Sequence, residues 1–281
     1  MKVLVTGAKG QLGTDIVLSL EHNPNKYQVF GYGREELDII DTLQMSKVFE
    51  KVKPDIVIHA AAYTQVDQAE IDIDRAYAIN VIGTRNLVVE AGKYGAKFVY
   101  ISTDYVFDGQ KGTPYIEFDQ TNPQSVYGLS KRAGEKIVLS LSDKYFIVRT
   151  SWVYGKYGSN FVHTMLKLGE QGKPLKVVDD QFGSPTYTVD LVRFLEQLME
   201  TEHFGIYHAT NSGSCSWYEF ARAIFCEAGL KVELSPCTTQ DFPRPATRPA
   251  FSVLDHMGIR INGFEDLRHW REGLIEFIER G

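Results

Sequence analysis

The chain has 281 residues, enough for one large domain or two unequal ones, and 43% apolar and 23% charged residues are ordinary values for a globular protein. The formal net charge is −6 and no basic block occurs, which argues against nucleic acid and anionic membrane surfaces as partners. No apolar stretch approaches the length of a membrane span, and the first apolar run ends at Gly7, too early for a signal peptide.

The N-terminus predicts a strand, a glycine turn and a helix. Lys2–Thr6 is a short apolar run typical of a buried parallel strand, and apolar residues recur with a helical period over 14–20. Between them stands Gly7-x-x-Gly10-x-x-Gly13. Such glycines let the backbone approach a pyrophosphate at a helix N-terminus, where free N–H groups favour anions. This segment therefore predicts a dinucleotide-binding site.

Strands and helices continue to alternate up to residue 150. The further predicted elements are strands at 28–32, 55–59, 98–102 and 145–149, and helices at 42–53, 76–94 and 126–141. This rhythm is typical of an α/β fold with a doubly wound, parallel, Rossmann-like sheet. Ligands of such sheets bind beyond the carboxyl ends of the strands, where Thr6, Gly7, 60–63 and 102–104 lie.

The pattern is looser after residue 150. The predicted elements are helices at 160–170, 189–200, 216–229 and 270–280, a strand at 205–209, and a proline- and arginine-rich loop at 242–249. We predict a dinucleotide-binding Rossmann domain over 1–150 and a smaller, mainly substrate-binding C-terminal region over 151–281, with some elements returning to the main sheet.

Cys215, Cys226 and Cys237 are odd in number and widely spaced, so we expect reduced thiols and a cytoplasmic protein.

Tyr127 and Lys131 form the most informative pair in the chain. On a helix, residues four apart share one face. At ~4 Å and an effective dielectric near 20, an ammonium favours a phenolate by on the order of 4 kcal/mol. That energy would lower a tyrosine pKa by up to roughly 3 units, toward neutrality. We therefore predict that Tyr127 exchanges a proton with a substrate near neutral pH.

Three motifs together resemble the extended short-chain dehydrogenase/reductases that act on nucleotide sugars: the glycine turn, 102–104 and Tyr127-x-x-x-Lys131. Within them the chain is similar to the dTDP-4-dehydrorhamnose reductase family. This narrower resemblance rests on segments spread over nearly the whole chain: TGAKGQLG at 6–13, AAAYTQVDQAE at 60–70, STDYVFDG at 102–109, VRTSWVYG at 148–155, DQFGSPT at 180–186 and Arg248-Pro249. It implies NAD(P)H-dependent reduction of a nucleotide-linked 4-keto-6-deoxy sugar, dTDP-4-dehydrorhamnose to dTDP-L-rhamnose, in polysaccharide biosynthesis.

The resemblance also implies catalytic roles. Tyr127 would give its proton to the C4 oxygen as hydride reaches C4 from the nicotinamide. Lys131 would hold the nicotinamide ribose and lower the pKa of Tyr127. A hydroxyl of Ser102 or Thr103 would bind the sugar carbonyl. A regular strand presents only one of two successive residues, and the resemblance selects Thr103.

Further residues are assigned to the two ligands by the same resemblance. Those implied to contact the substrate are Thr103, Asp104, Tyr105, Trp152 and Arg248. Trp152 would flank the sugar or belong to the core. Arg248, in a proline-stiffened loop, would bind the diphosphate, with Arg244 as second choice and a surface role as the alternative for both. Those implied to contact the cofactor are Gly7, Gly10, Gln11, Leu12, Gly13, Arg34, Asp38, Ile39, Ala60, Ala61, Ala62, Tyr63, Tyr127 and Lys131.

The end of the second strand bears on the choice of cofactor. NAD-binding folds usually place an acid there, whereas this chain reads Phe30-Gly31-Tyr32-Gly33-Arg34. The guanidinium of Arg34 suits the 2′-phosphate of NADPH. We predict NADPH, with NADH possible. The alternative is that Glu35 takes the place of the acid and that Arg34 is a solvated loop residue.

Other functions stay open at this point. A nucleotide-sugar 4,6-dehydratase or 4-epimerase is one, although dehydratases carry Asp-Glu where this chain has Asp104-Tyr105. A non-catalytic, dinucleotide-binding subunit that resembles the methionine adenosyltransferase beta subunit is another. Relatives implied by the resemblance can bind Mg²⁺ at a dimer contact, and Asp15, Asp190 and Glu272 are possible counterparts. We predict no metal site and leave a homodimer possible.

Overall fold

Six parallel strands form the central sheet of the computed structural model, which describes residues 1–280. The strands in the described residues are β1 (Lys2–Thr6), β2 (Gln28–Tyr32), β3 (Ile56–His59), β4 (Lys97–Thr103), β5 (Tyr145–Thr150), β6 (Val153–Tyr154), β7 (Leu175–Val178), β8 (Phe182–Gly183), β9 (Thr186–Tyr187), β10 (Gly205–His208), β11 (Cys215–Ser216) and β12 (Leu234–Cys237). The central sheet runs β10-β5-β4-β3-β1-β2, and every pairing in it is parallel. The predicted doubly wound parallel sheet is confirmed, and all six carboxyl ends lie at one edge.

Helices cover both faces of this sheet and build the C-terminal region. They are α1 (Gln11–Glu21), α2 (Thr42–Val52), α3 (Val66–Ala69), α4 (Ile73–Tyr77), α5 (Thr84–Lys93), α6 (Val126–Leu141), α7 (Phe161–Gly169), α8 (Thr188–Met199), α9 (Trp217–Glu227), α10 (Met257–Ile261) and α11 (Trp270–Arg280). The strand β10 comes from beyond residue 150 and forms an edge of the central sheet. The division at residue 150 stays a prediction.

The helix predicted over 76–94 is irregular. A π-helical turn, Ala78–Gly83, separates α4 from α5. Asn80 in this turn is buried, and its side chain accepts from the Tyr63 amide (2.8 Å) and donates to the Tyr63 carbonyl (3.2 Å). A side chain on Gly83 would meet Ile39 at 2.5 Å. The π-helical turn thus lies where the helix meets Tyr63 and Ile39, and such turns are frequent at functional sites.

The apolar residues of the sheet alternate between two cores. Val3 and Val5 point into one cluster and Leu4 into the other, so β1 is buried on both sides. This explains why the strands are nearly continuous apolar runs. A third cluster, centred on Phe220 and Trp270, lies in the C-terminal region.

No helix within residues 1–280 is long and apolar enough to cross a membrane. Cys215, Cys226 and Cys237 are free thiols, of which the first is buried and the second exposed. Burial raises the pKa of Cys215 and thereby disfavours its thiolate.

Candidate active site

A cleft of about 950 Å³ opens at the carboxyl ends of β1, β3, β4 and β5. Most of the predicted site residues line it. They are Gly7, Gly10, Gln11, Leu12, Arg34, Asp38, Ile39, Ala60, Ala61, Ala62, Tyr63, Thr103, Asp104, Tyr105, Tyr127, Lys131 and Trp152. Gly13 and Arg248 lie outside this lining. The structure therefore brings the predicted cofactor and catalytic residues together in one place.

The glycine turn meets the strand beside it at very short range. Gly7 has φ +70°, and a Cβ on it would lie 2.7 Å from the amide nitrogen of Ala61. Gly10 is the N-cap residue of α1, and no side chain caps the first N–H groups of this helix. These N–H groups can therefore donate to an anion. A Cβ on Gly13 would lie 2.1 Å from the Gly7 carbonyl oxygen. Gly13, predicted as a cofactor residue, thus packs α1 against the turn and does not face the cleft.

Two cations flank the far end of the cleft. Arg34 is 68% exposed, and its Nε lies 4.0 Å from the Asp38 carboxylate. Lys9 pairs with Glu36, which also accepts from the Gly33 amide. A cleft end with exposed basic side chains suits a phosphate group.

The Tyr127/Lys131 pair lies on α6, whose N-terminus is well capped. The Ser125 hydroxyl accepts from the Gly128 amide (3.2 Å), and the Glu70 carboxylate accepts from the Val126 amide (2.8 Å). Lys131 Nζ donates to the Ile101 carbonyl of β4 at 2.7 Å. The same ammonium lies 4.0 Å from the centre of the Tyr100 ring. The lysine is therefore held between the helix and the sheet.

The electrostatics of this pair correct one sequence-based prediction. Burial raises the pKa of Tyr127 to about 12; a hydrogen bond from Thr103 acts in the opposite direction, and the charge of Asp104 raises it further. Burial lowers the pKa of Lys131 to about 7, which Glu135 opposes. The prediction that Lys131 lowers the pKa of Tyr127 toward neutrality is wrong for this geometry. The surrounding protein disfavours both charged forms, and the lysine is directed at a backbone carbonyl.

Ser102 and Thr103, neighbours at the end of β4, have different hydrogen-bond partners. The buried Ser102 hydroxyl donates to Glu135 Oε1 at 2.7 Å. Thr103 lies on the side of the Tyr127 phenol and donates to the Asp104 carboxylate at 3.0 Å. This arrangement favours Thr103 over Ser102 as the substrate-facing hydroxyl, and the role itself stays a prediction.

Asp104 and Tyr105 close the bottom of the cleft. Burial raises the pKa of Asp104 to about 6, and hydrogen bonds from Ser252 and Thr103 act in the opposite direction. The Tyr105 ring packs edge-on against Tyr127, with 5.5 Å between ring centres. Above this pKa the ionised carboxylate acts only as a hydrogen-bond acceptor, and contact with the substrate stays a prediction.

Trp152 is both a packed and a cleft-facing residue. Its ring stacks on Trp217 with 3.5 Å between the ring centres, and it crowds Gly183, where a Cβ would lie 2.5 Å away. Its φ is +47°, a strained value for a bulky residue and one that clusters at functional sites. The two alternatives for Trp152 are therefore both compatible with its position.

Arg248 is bound to a carboxylate on the N-terminal half of the chain. Its Nη1 and Nη2 donate to the two oxygens of Asp67 at 2.6 and 2.9 Å. The Ala246 amide donates to Asp67 at 3.2 Å, and Arg244 lies 3.9 Å away. Two arginines thus share one carboxylate, which leaves one positive charge in excess beside the cleft.

The whole chain, residues 1–281, matches the family model described as the RmlD substrate binding domain. The chain belongs to this family. A spore coat polysaccharide biosynthesis protein SpsK of Bacillus subtilis is 46% identical over 99% of this chain and 97% of its own length. A dTDP-4-dehydrorhamnose reductase of Aggregatibacter actinomycetemcomitans is 44% identical over 90% of each chain. A crystal structure of the Bacillus anthracis dTDP-4-dehydrorhamnose reductase in complex with NADP has 48% identity and a TM-score of 0.97, covering 100% and 99% of the two chains. The predicted resemblance is confirmed.

Several cleft residues of this RmlD-family chain were not predicted. They include Lys9, Gln65, Arg75, Ile79, Val153, Gly158 and Ser159. The loop before α7 reaches the cleft because Gln11 holds it: Gln11 donates to the Val153 carbonyl (3.0 Å), and Asn160 donates to Gln11 (2.8 Å). Gly158, with φ +73°, passes Gln11 closely. In the sequence, the glycines just before Asn160, the N-cap of α7, were the pattern that could have indicated this loop.

The acids considered for Mg²⁺ do not form a shared site. Asp190 already accepts from Asn211 (2.8 Å) and Arg268 (2.9 Å), and Asp15 faces Thr188. Glu272 is exposed. Within residues 1–280, no three acidic, histidine or cysteine side chains are placed to hold a metal ion. The three acids therefore do not converge within one chain, and the absence of a metal site stays a prediction.

Proposed function

We propose that the chain is an NADPH-dependent reductase that converts dTDP-4-dehydrorhamnose to dTDP-L-rhamnose. The observation that carries the proposal is the full-length family match together with Tyr127, Lys131 and Thr103 lining one cleft. The reductases among the relatives confirm the predicted enzyme class, and one of them binds NADP. NADPH is therefore the expected cofactor, and NADH stays possible.

The chemistry of the chain follows from its own residues. NADPH, when bound, supplies the hydride for C4. Tyr127 gives its proton to the C4 oxygen, and the pKa of about 12 keeps the phenol protonated until that oxygen becomes more basic than the phenolate. A protonated Lys131, one helical turn away, stabilises the phenolate left behind. Thr103 holds the carbonyl oxygen in line with the phenol.

The test is direct. Pure protein is incubated with NADPH and a panel of nucleotide-linked 4-keto sugars, and the nicotinamide absorbance is followed. Oxidation of NADPH with dTDP-4-dehydrorhamnose, and formation of the C4 alcohol, supports the proposal. If every sugar is left unreduced while NADPH still binds, the chain is not a reductase and the regulatory-subunit alternative gains.

The 4,6-dehydratase alternative is disfavoured by the side chain that follows Asp104. Dehydration needs a second acid next to the sugar, and this chain has the Tyr105 ring there, packed on Tyr127. An epimerase retains its dinucleotide through the reaction cycle. Stoichiometric consumption of NADPH by the isolated chain separates the reductase from both relatives.

Arg34→Ala should raise the KM for NADPH about tenfold and leave the KM for NADH nearly unchanged. The reason is that only NADPH carries the 2′-phosphate, and a charge-assisted hydrogen bond contributes ~1.5–3 kcal/mol. Steady-state kinetics with both cofactors measure the effect. Lys9→Ala is the matched comparison, since Lys9 is equally exposed and lines the same cleft. Equal effects of Arg34→Ala on the two cofactors would show that Arg34 does not bind the 2′-phosphate.

Arg248→Ala should raise the KM for the nucleotide sugar by about tenfold or more and spare NADPH affinity. The variant lacks the two charge-assisted hydrogen bonds that we expect Arg248 to donate to the diphosphate. Their loss weakens substrate binding by at least a factor of ten. Arg244→Ala, in the same loop but farther from Asp67 and more exposed, is the control and should have a smaller effect. Asp67→Asn tests whether the loop must also be anchored. Calorimetric titration with free dTDP decides: wild-type affinity in Arg248→Ala places the diphosphate elsewhere.

A further inference from the structure

The helix α6, which carries Tyr127 and Lys131, contacts β4 at three points. Lys131 donates to the carbonyl of Ile101, and Glu135 accepts from the hydroxyl of Ser102, both at 2.7 Å. Tyr127 lies at the side chain of Thr103. The three helix residues are spaced by four and share one face. The last of them, Glu135, lies behind the cleft and has no role in the reaction as described so far.

Glu135 is fully buried, and both of its oxygens are bound. Oε1 accepts from Ser102 and from Arg149 Nε (2.8 Å), and Oε2 accepts from Arg149 Nη2 (2.9 Å) and Arg132 Nη1 (3.1 Å). A buried ion pair of this kind contributes little net stability, because desolvation offsets the attraction. Its presence one turn beyond Lys131 therefore calls for a different explanation.

We propose that Glu135 is a positioning residue for the reaction: it fixes α6 against β4 through Ser102, and its charge keeps Lys131 protonated. The inference rests on the proposed function, since it concerns the same tyrosine and lysine. Glu135 is the buried anion that acts on Lys131, and it raises the pKa of the lysine against the lowering effect of burial.

Other groups around Lys131 act differently. Near Lys131 itself lie Tyr127 on α6, Tyr100 on β4 and His59 on β3. Arg132 on α6 and Arg149 on β5 are paired with Glu135. Burial lowers the pKa of His59 to about 3, so this ring is neutral at working pH. The tyrosines are neutral as well, and the arginines repel an ammonium. Of these groups and Glu135, only Glu135 carries the negative charge that favours a protonated Lys131.

The test separates charge from hydrogen bonding. Glu135→Gln keeps the shape and removes the charge, so burial acts on Lys131 unopposed, and the basic limb of the kcat/KM profile should move to lower pH. If the pKa of this limb falls by one pH unit, kcat/KM at pH values above the pKa becomes about tenfold lower. Ser102→Ala keeps the charge and removes the bond to β4, so we expect a lower kcat with the limb unmoved. A folded Glu135→Gln whose limb coincides with that of the wild type overturns the proposal.

A readout without turnover keeps this test independent of the proposed function. The side-chain resonance of Lys131 in lysine-labelled protein, assigned by its loss in Lys131→Met, should titrate at lower pH in Glu135→Gln. If Glu135→Gln does not fold because Arg149 is left unpaired, the Lys131 titration is compared between Arg149→Met and Glu135→Gln/Arg149→Met, which differ only in the charge of Glu135, and it should lie at lower pH in the double variant. An unmoved titration in a folded variant rejects the inference. A wild type that reduces no sugar, with the titration displaced, rejects the proposed function alone.

Discussion

Tyr127→Phe is expected to lower kcat for the nucleotide sugar by about 10²–10⁴-fold, because this substitution removes the phenolic hydroxyl and with it the proton that the C4 oxygen must receive. The ring itself, and its edge-on packing on Tyr105, are retained. NADPH affinity should stay close to that of the wild type, since we expect the cofactor to bind mainly to the glycine turn and its flanks. Steady-state kinetics and a fluorescence titration with NADPH measure the two effects.

Tyr105→Phe is the matched control for this variant. Tyr105 also lines the cleft, and its pKa is raised by burial, so its hydroxyl is a neutral contact for substrate. We expect a change in KM and little change in kcat. A Tyr127→Phe enzyme that reduces the sugar at a near wild-type rate would assign the proton donor to another group.

Lys131→Met should weaken NADPH binding by about 10–100-fold and abolish the basic limb of the pH–rate profile. The first effect follows from the loss of a charge-assisted hydrogen bond to the nicotinamide ribose. The second has its origin in burial, which lowers the pKa of Lys131 to about 7. Because the protonated form stabilises the phenolate, wild-type kcat/KM should fall as the pH rises through this pKa. A profile and cofactor affinity that both match the wild type would make Lys131 a structural lysine.

Stability offers a check on the same pKa. Between the folded-state value of about 7 and the ordinary lysine pKa, the unfolded chain binds a proton at Lys131 and the folded chain does not. The free energy of unfolding therefore decreases as the pH is lowered across this window. Denaturant unfolding of Lys131→Met should lack this part of the pH dependence. Lys136→Met, a substitution on the same helix away from the cleft, should retain it.

Local patterns were sufficient for the strands of the central sheet and for the fold class, but not for the short strands β6–β9, β11 and β12. Apolar runs bounded by glycine predicted the strands, and the bounds of α6 and α11 agree with the structure because helical period and flanking polar residues are local properties. Most residues predicted to bind the cofactor line one cleft for a related reason. Parallel strands bring their carboxyl ends to one edge, so residues that follow different strands must meet there.

The sequence by itself thus determined the sheet, the cleft edge and the Tyr127/Lys131 pair. The tertiary structure alone decided the protonation of that pair, since a pKa depends on how much protein surrounds a group, and burial exceeds the effect of the charge four residues away. It also decided the partners of Arg248 and Glu135. Asp67 is 181 residues from Arg248 in the chain, and Ser102 is 33 residues from Glu135. No local pattern carries such pairings, because they arise only when distant segments pack against each other.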